Sequence, residues 1–303
     1  MVQITEKKVL SSDGTHELYG KVYVPDGELR GLFHVVHGMC EHIARYHEFL
    51  LELAENGYVA FAYDQLGHGH TAADESELGF FAHENGWKRL VDDVALFGNE
   101  VKQEYGSELP YCLLGFSMGS FIVRLAAEQY DIQDKLIIMS TGGPHAAADP
   151  GLAAIGAIKK LKGEKYISNF ILNLAFRAYN KRFDENDTYS WLTTNEEIRK
   201  KFVSDPLCSY RFTISAMCDL VRLSKECNTG RWFGSRVTKK PILLLSGSDD
   251  PVGNYGKGVK TVYDKLKANG ADVKFKLYAG CRHEILNDKC RKKVIKDILE
   301  FTA

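Results

Sequence analysis

"LLGFSMGS", Leu113–Ser120, places Ser117 between Gly115 and Gly119, directly after an apolar run that reads as a strand. Glycine loses more backbone entropy on folding than any other residue and is poor inside strands and helices. Two of them at this spacing point to a backbone too tight or too crowded for a side chain. A plain strand-to-helix turn is one account. The pattern G-x-S-x-G has a sharper one, a strained turn that lifts a serine hydroxyl clear of a sheet. That reading needs a base, a carboxylate, two backbone donors and a suitable order of elements around it.

The elements supply that order. "GLFHVVHG" (Gly31–Gly38), "YVAFAYD" (Tyr58–Asp64), "PYCLLGFS" (Pro110–Ser117), "KLIIMST" (Lys135–Thr141), "PILLLSGSDD" (Pro241–Asp250) and "DVKFKLYAG" (Asp272–Gly280) read as strands. Amphipathic helices lie among them, over Arg45–Gly57, Gly86–Gly106, Met118–Tyr130, Tyr255–Gly270 and Cys290–Ala303 in approximate bounds. Short apolar runs alternating with helices predict an α/β fold with a mostly parallel sheet covered on both faces. A hairpin around "SDGTH", between Lys8 and Val24, adds an antiparallel edge. The alternation breaks after Gly142, where helical segments run to Lys240. We read residues 1–143 and 241–303 as the core and 144–240 as a helical cap inserted between strands 6 and 7. Within it, Tyr166–Phe183 reads as one helix with two apolar stripes, Ile167, Phe170, Ile171 and Leu174 on one and Leu172, Phe176 and Tyr179 on the other. A helix apolar on two sides has more to bury than one packing face explains. Phe170 and Phe176 are therefore the candidates for lining a pocket.

Composition narrows the function. The 303 residues carry a net charge of −1, 45% hydrophobic and 26% charged residues, which is globular and offers no basic field for nucleic acid. No segment approaches the ~20 apolar residues of a membrane span, and the start "MVQITEKKVL" lacks the apolar core of a secretion signal. The 7 cysteines form no C-x-x-C pair, so neither a metal site nor a disulfide framework is expected, and the chain reads as cytoplasmic. No cofactor motif is found.

A serine nucleophile needs a histidine to take its proton and an acid to orient that histidine. His283 follows the strand ending near Tyr278 and stands alone among the 10 histidines in lying beyond Asp250. The acid lies in "GSDDPVG", where Asp250 completes G-x-x-D from Gly247 just before Pro251, and Asp249 reads as a solvated neighbour. The two oxyanion donors expected are the backbone N–H groups of Met118, after the nucleophile, and Met39, in "HGMCEHIARY" after the third strand.

"HGMCEHIARY", "YDQLGHGHT", "GFSMGS", "GSDDPVG" and "GCRHEILND" together resemble the monoglyceride lipase and lysophospholipase group of α/β-hydrolases over most of the chain. Cys40 stands where that group's HGxGEH has its second glycine. The resemblance implies an α/β-hydrolase fold and a cofactor-independent serine esterase with the catalytic set Ser117, Asp250 and His283. It implies a monoacylglycerol or lysophospholipid substrate, with Glu41 and Arg45 at its polar end and the apolar cap free to touch a membrane transiently. The rival within the fold is an aminopeptidase, with Glu185 and Asp187 as the acids that would hold an amino terminus. The rival from another functional class is a non-catalytic ligand-binding member of the same fold.

Overall fold

The computed structural model describes every residue except Asp184 and Asn186. The chain runs β1 (Val2–Leu10), β2 (Glu17–Pro25), β3 (Gly31–Val36), α1 (His47–Glu55), β4 (Tyr58–Tyr63), α2 (Gly86–Tyr105), β5 (Tyr111–Phe116), α3 (Met118–Tyr130) and β6 (Lys135–Met139). Five helices follow, α4 (Ala148–Lys162), α5 (Asn169–Phe176), α6 (Glu196–Ser204), α7 (Ile214–Glu226) and α8 (Gly230–Phe233). The core resumes with β7 (Ile242–Gly247), α9 (Lys257–Ala268), β8 (Val273–Tyr278) and α10 (Arg291–Thr302).

The strands form one sheet in the order β1-β2-β4-β3-β5-β6-β7-β8. The pairs β1–β2 and β2–β4 are antiparallel and the others parallel. Every residue of β3, β4, β5 and β7 is buried, as parallel strands under helices on both faces should be. Side chains alternate between two cores. Leu32 and Val36 of β3 pack into one, Phe33 and Val35 into the other. This is the α/β-hydrolase fold, with a helical insert between β6 and β7 as the sequence predicts. Because β3 lies between β4 and β5, the chain leaves β3 on one side and returns on the other. The loops after β3 and β5 therefore face each other across a crevice, the usual ligand position in open α/β sheets.

One expectation for the insert is corrected. The helix read across Tyr166–Phe183 forms only as α5, and turns occupy residues 177–182. Ser168 caps its start by accepting from Ile171 N–H at 3.4 Å. Beyond its end, Asn180 accepts from Trp191 N–H at 3.1 Å and donates to Thr188 O at 2.6 Å. These contacts, together with Tyr179 set edge-on to Trp191 at 5.1 Å, outweigh local helical preference. The stripe read as one face is split as well, with Ile171 buried while Phe170 and Leu174 are 70% and 73% exposed.

The hairpin edge is pinned by a buried acid. Asp93 of α2 accepts from Ser11 Oγ at 2.9 Å and Ser12 N–H at 2.7 Å. Burial nonetheless pushes its carboxyl up to about 6 against these bonds. The folded protein then binds this proton more tightly than the unfolded chain, so this group's contribution to stability falls as pH rises from about 4 to about 6. Asp93→Asn cannot ionise. Its stability relative to the parent should rise by about 2–3 kcal/mol between pH 4 and pH 7, read by urea melts at both pH values. A difference that does not change with pH would contradict the raised carboxyl.

Candidate active site

The crowding at Ser117 answers the question posed by its two glycines. Ser117 has φ 53° and ψ −118°, a strained conformation for a residue with a side chain. A Cβ on Gly115 would lie 2.3 Å from the Gly119 carbonyl oxygen, and one on Gly119 would lie 2.2 Å from the Val36 carbonyl oxygen. The start of α3 is thus pressed against β5 and β3 closely enough to exclude any side chain. Ser117 N–H donates to Met139 O at 3.0 Å, which ties the turn to β6.

Three loops then converge. His283 Nδ1 lies 3.0 Å from Asp250 Oδ1, and its Nε2 lies 2.8 Å from Ser117 Oγ. A carboxylate only accepts, so Nδ1 carries the proton and Nε2 is left to accept from the serine. Asp250 is fully buried and also accepts from Val252 N–H at 2.9 Å and Ser246 Oγ at 3.3 Å. Asp249 instead accepts from Ser248 Oγ at 2.9 Å and is only half-buried. The His283 ring sits between Phe116 at 4.9 Å and Trp191 of the insert at 5.1 Å. Ser140 Oγ holds its carbonyl at 2.7 Å. Such a chain can draw a proton from the serine oxygen as that oxygen attacks an electrophile.

Met39 and Met118 both line the cavity above Ser117. Met118 opens α3, where N–H groups lack intrahelical partners and the helix dipole favours negative charge. The loop carrying Met39 is held from several directions. Gln65 N–H donates to His37 Nε2 at 3.1 Å, and His37 Nδ1 faces Gly38 O at 2.8 Å. Burial keeps that imidazole neutral, with its pKa well below the ordinary value. Asp64 accepts from Ile43 N–H and from His70 N–H, both at 2.8 Å, joining this loop to the one after β4. Cys40 adopts φ 54°, the left-handed conformation that suits the glycine of the resembling group.

A buried ionic bridge runs beside these loops. Arg45 Nη1 donates to Glu41 Oε2 at 2.5 Å, and Nη2 to Glu284 Oε2 at 2.7 Å. Glu41 Oε1 also accepts from Gly38 N–H at 2.6 Å and Tyr46 OH at 2.8 Å. Burial pushes the Glu41 carboxyl up. It works the same way on Glu284, but there the Arg45 guanidinium prevails and holds the carboxyl below its usual range. Glu41 and Arg45 line the cavity with both carboxylate oxygens and both terminal guanidinium nitrogens already engaged. Glu284 is not among the residues that sequence reasoning selects. Its one local signal is its place beside His283, since its partner Arg45 is 239 residues away.

The cavity measures about 780 Å³ and has Ser117 and His283 on its floor. Phe170, Ile171, Leu172, Leu174 and Phe176 of α5 wall it, with Met217 and Leu220 of α7. Members of both expected stripes therefore face it. Among the described residues, one group has metal-type donors within 4.8 Å of one another, namely His42, Asp205 and Cys208. His42 Nε2 and Asp205 Oδ2 form a hydrogen-bonded pair at 2.8 Å, and Asp205 Oδ1 accepts from Leu207 N–H at 2.9 Å. These bonds tie the insert to the loop after β3. Among the described residues, no helix is long and apolar enough to cross a membrane.

Comparison with known proteins agrees with this architecture. The chain is 26% identical over 288 residues to a monoglyceride lipase homolog of monkeypox virus, covering 93% of this chain and 92% of that one. It is 28% identical over 276 residues to the monoglyceride lipase of Rattus norvegicus, covering 91% and 82%. Among solved structures, a thermostable carboxyl esterase from Bacillus coagulans in complex with glycerol superposes with a TM-score of 0.92 at 28% identity, covering 99% and 98%. The family model described as "Serine aminopeptidase, S33" matches residues 27–290. The chain is thus a member of the serine aminopeptidase S33 family of α/β-hydrolases, related to esterases and monoglyceride lipases.

Proposed function

We propose that the protein hydrolyses carboxylic esters with an apolar acyl chain, monoacylglycerols first among them. The observation that carries this is the hydrogen-bonded chain Ser117–His283–Asp250 on the floor of an apolar cavity. Ser117 Oγ attacks the ester carbonyl while His283 Nε2 takes the hydroxyl proton. The tetrahedral oxyanion is received by the N–H groups of Met39 and Met118. His283 returns the proton to the leaving alcohol, and an acyl-serine remains. Water, deprotonated by the same imidazole, then releases the carboxylic acid and restores the serine. Asp250 holds the tautomer and stabilises the imidazolium throughout.

The polar end of the substrate is assigned to the wall formed by Glu41, Arg45 and Glu284. Two carboxylates neutralise the one guanidinium there, which disfavours a phosphodiester and suits the hydroxyls of a glyceride. The acyl chain is assigned to the α5 wall. The exposed side chains of Leu161, Tyr166, Ile167, Phe170 and Leu174, close in sequence to Lys159, Lys160, Lys162 and Lys165, support a transient membrane contact through the insert. The aminopeptidase reading is disfavoured by its own candidate acids. Glu185 is paired with Arg282 at 2.7 Å and Asp187 with Arg199 at 2.6 Å, leaving neither carboxylate uncompensated for an amino terminus.

The test is a panel of p-nitrophenyl esters of increasing chain length, run beside monoacylglycerols, lysophospholipids and an aminoacyl anilide. Burying one methylene is worth about 0.8 kcal/mol, so kcat/KM should rise roughly fourfold per added CH₂ until the cavity is full. Phe176, which meets Tyr179 at 5.6 Å and through it Trp191 and His283, lies on the inner wall, whereas Phe170 is largely exposed. Phe176→Ala should flatten the chain-length dependence, while acetate hydrolysis stays nearly unchanged. An unaltered profile with a lowered melting temperature would make Phe176 a packing residue. Anilide cleavage exceeding ester cleavage would reverse the choice between the two readings.

A further inference from the structure

We propose that Glu284 is a positioning residue, which fixes through Arg45 and Glu41 the distance between the loop bearing His283 and the loop bearing Met39. The inference rests on the esterase reading above and adds to it a residue outside the Ser117–His283–Asp250 chain. The need for such a device follows from the sheet. The two loops leave β3 and β8, which are separated by β5, β6 and β7. Four strand spacings of about 4.8 Å put the two strand ends roughly 19 Å apart. No ladder of the sheet joins β3 to β8, so the approach of their loops must be set above the sheet.

The bridge spans that gap link by link. Gly38 N–H, next to Met39, donates to Glu41 Oε1, and Glu41 Oε2 receives Arg45 Nη1. Arg45 Nη2 reaches Glu284 Oε2, and Glu284 is covalently joined to His283. Both carboxylates are almost wholly buried, with side-chain exposures of 3% and 4%, and Arg45 is 12% exposed. A planar guanidinium that engages two carboxylates through different nitrogens has little freedom to shift. In a buried setting, loss of either partner leaves the others unpaired and costs more than a surface pair would. Two side bonds stiffen the far end, Asn287 Nδ2 to Glu284 Oε2 at 3.1 Å and Glu284 N–H to Leu192 O at 2.7 Å. The Arg45 guanidinium also stacks over Phe202 of the insert at 4.9 Å. The proton acceptor and one oxyanion donor are thereby held to a common frame. A displacement of about 1 Å between such groups can cost roughly 10²-fold in rate.

The experiment compares Glu284→Gln and Glu284→Ala with the parent and with Ser117→Ala, using a short p-nitrophenyl ester and a fluorophosphonate. Glutamine keeps the shape and an acceptor oxygen but removes the charge. Alanine breaks the bridge. The expected result is a fall in kcat of about tenfold for Gln and about 10²-fold for Ala, with KM changed less than about threefold. The fluorophosphonate labelling rate should fall in parallel, because it uses the same serine, base and donors. Thermal melts fix the folded fraction to which every rate is normalised. If the Ala variant does not fold, the Gln variant decides. Normalised kcat and labelling rates within twofold of the parent, with only a lower melting temperature, would overturn the proposal. Full activity in Ser117→Ala would instead overturn the esterase reading on which it rests.

Discussion

Ser117→Ala is expected to lower ester turnover by about 10⁴-fold or more, leaving what binding and the oxyanion donors supply. The expectation follows from the geometry at the turn. Ser117 Oγ is 2.8 Å from His283 Nε2, the one hydroxyl bonded to that nitrogen among the described residues. Ser120 is engaged elsewhere, its Oγ donating to the Ser117 carbonyl at 2.5 Å. A fluorophosphonate should label the parent and not the variant. Labelling that persists in the variant would point to another serine. The fold should tolerate the change, because alanine in place of serine leaves the glycine contacts on either side untouched, although the strained φ remains.

The second large effect separates two adjacent aspartates. Asp250→Asn should reduce kcat by about 10⁴-fold with little change in melting temperature, since an amide can donate to Nδ1 and so favours the wrong tautomer. Asp249→Asn should cost less than about fivefold, because Asp249 bonds Ser248 and lies outside the chain that reaches His283. Steady-state kinetics on the two variants settle the order. The reverse ranking would move the acid to Asp249 and contradict the 3.0 Å contact that motivates the assignment.

Much of this arrangement is legible in the amino-acid sequence. The strand–helix alternation, the insert after the sixth strand and the turn at Ser117 are local patterns of roughly two to twenty residues, and sequence periodicity reports such patterns directly. Ser117, Asp250 and His283 can each be singled out because each lies just past a strand end, where an open α/β sheet presents its loops. What the sequence hides is long-range. The helix read across Tyr166–Phe183 stops at Phe176, because Asn180 and Tyr179 are claimed by Trp191, a residue whose role in the cavity periodicity cannot reveal. Glu284 carries only the weak signal of lying beside His283, and an acid beside a histidine is ordinary until its partner, 239 residues away, is brought to it. Resemblance marks Glu41 and Arg45 as contacts of a polar head group. They do line the cavity, and the structure adds that they are bonded to each other, to the loop after β3 and to Glu284. Cys40 shows the converse. Its place at the second glycine of the resembling pattern is legible, but its left-handed backbone, which that glycine would suit, shows only in the structure.

In the proposed reaction an acyl group passes through Ser117 Oγ on its way to water. The most direct measurement is to mix the protein with a long-chain p-nitrophenyl ester, quench it in acid within the first turnovers, and map the acylated peptide by tandem mass spectrometry. One acyl group per chain is expected on Ser117, formed with a stoichiometric burst of nitrophenol and absent from Ser117→Ala. An acyl group on any other residue, or a burst that persists in Ser117→Ala, would contradict it.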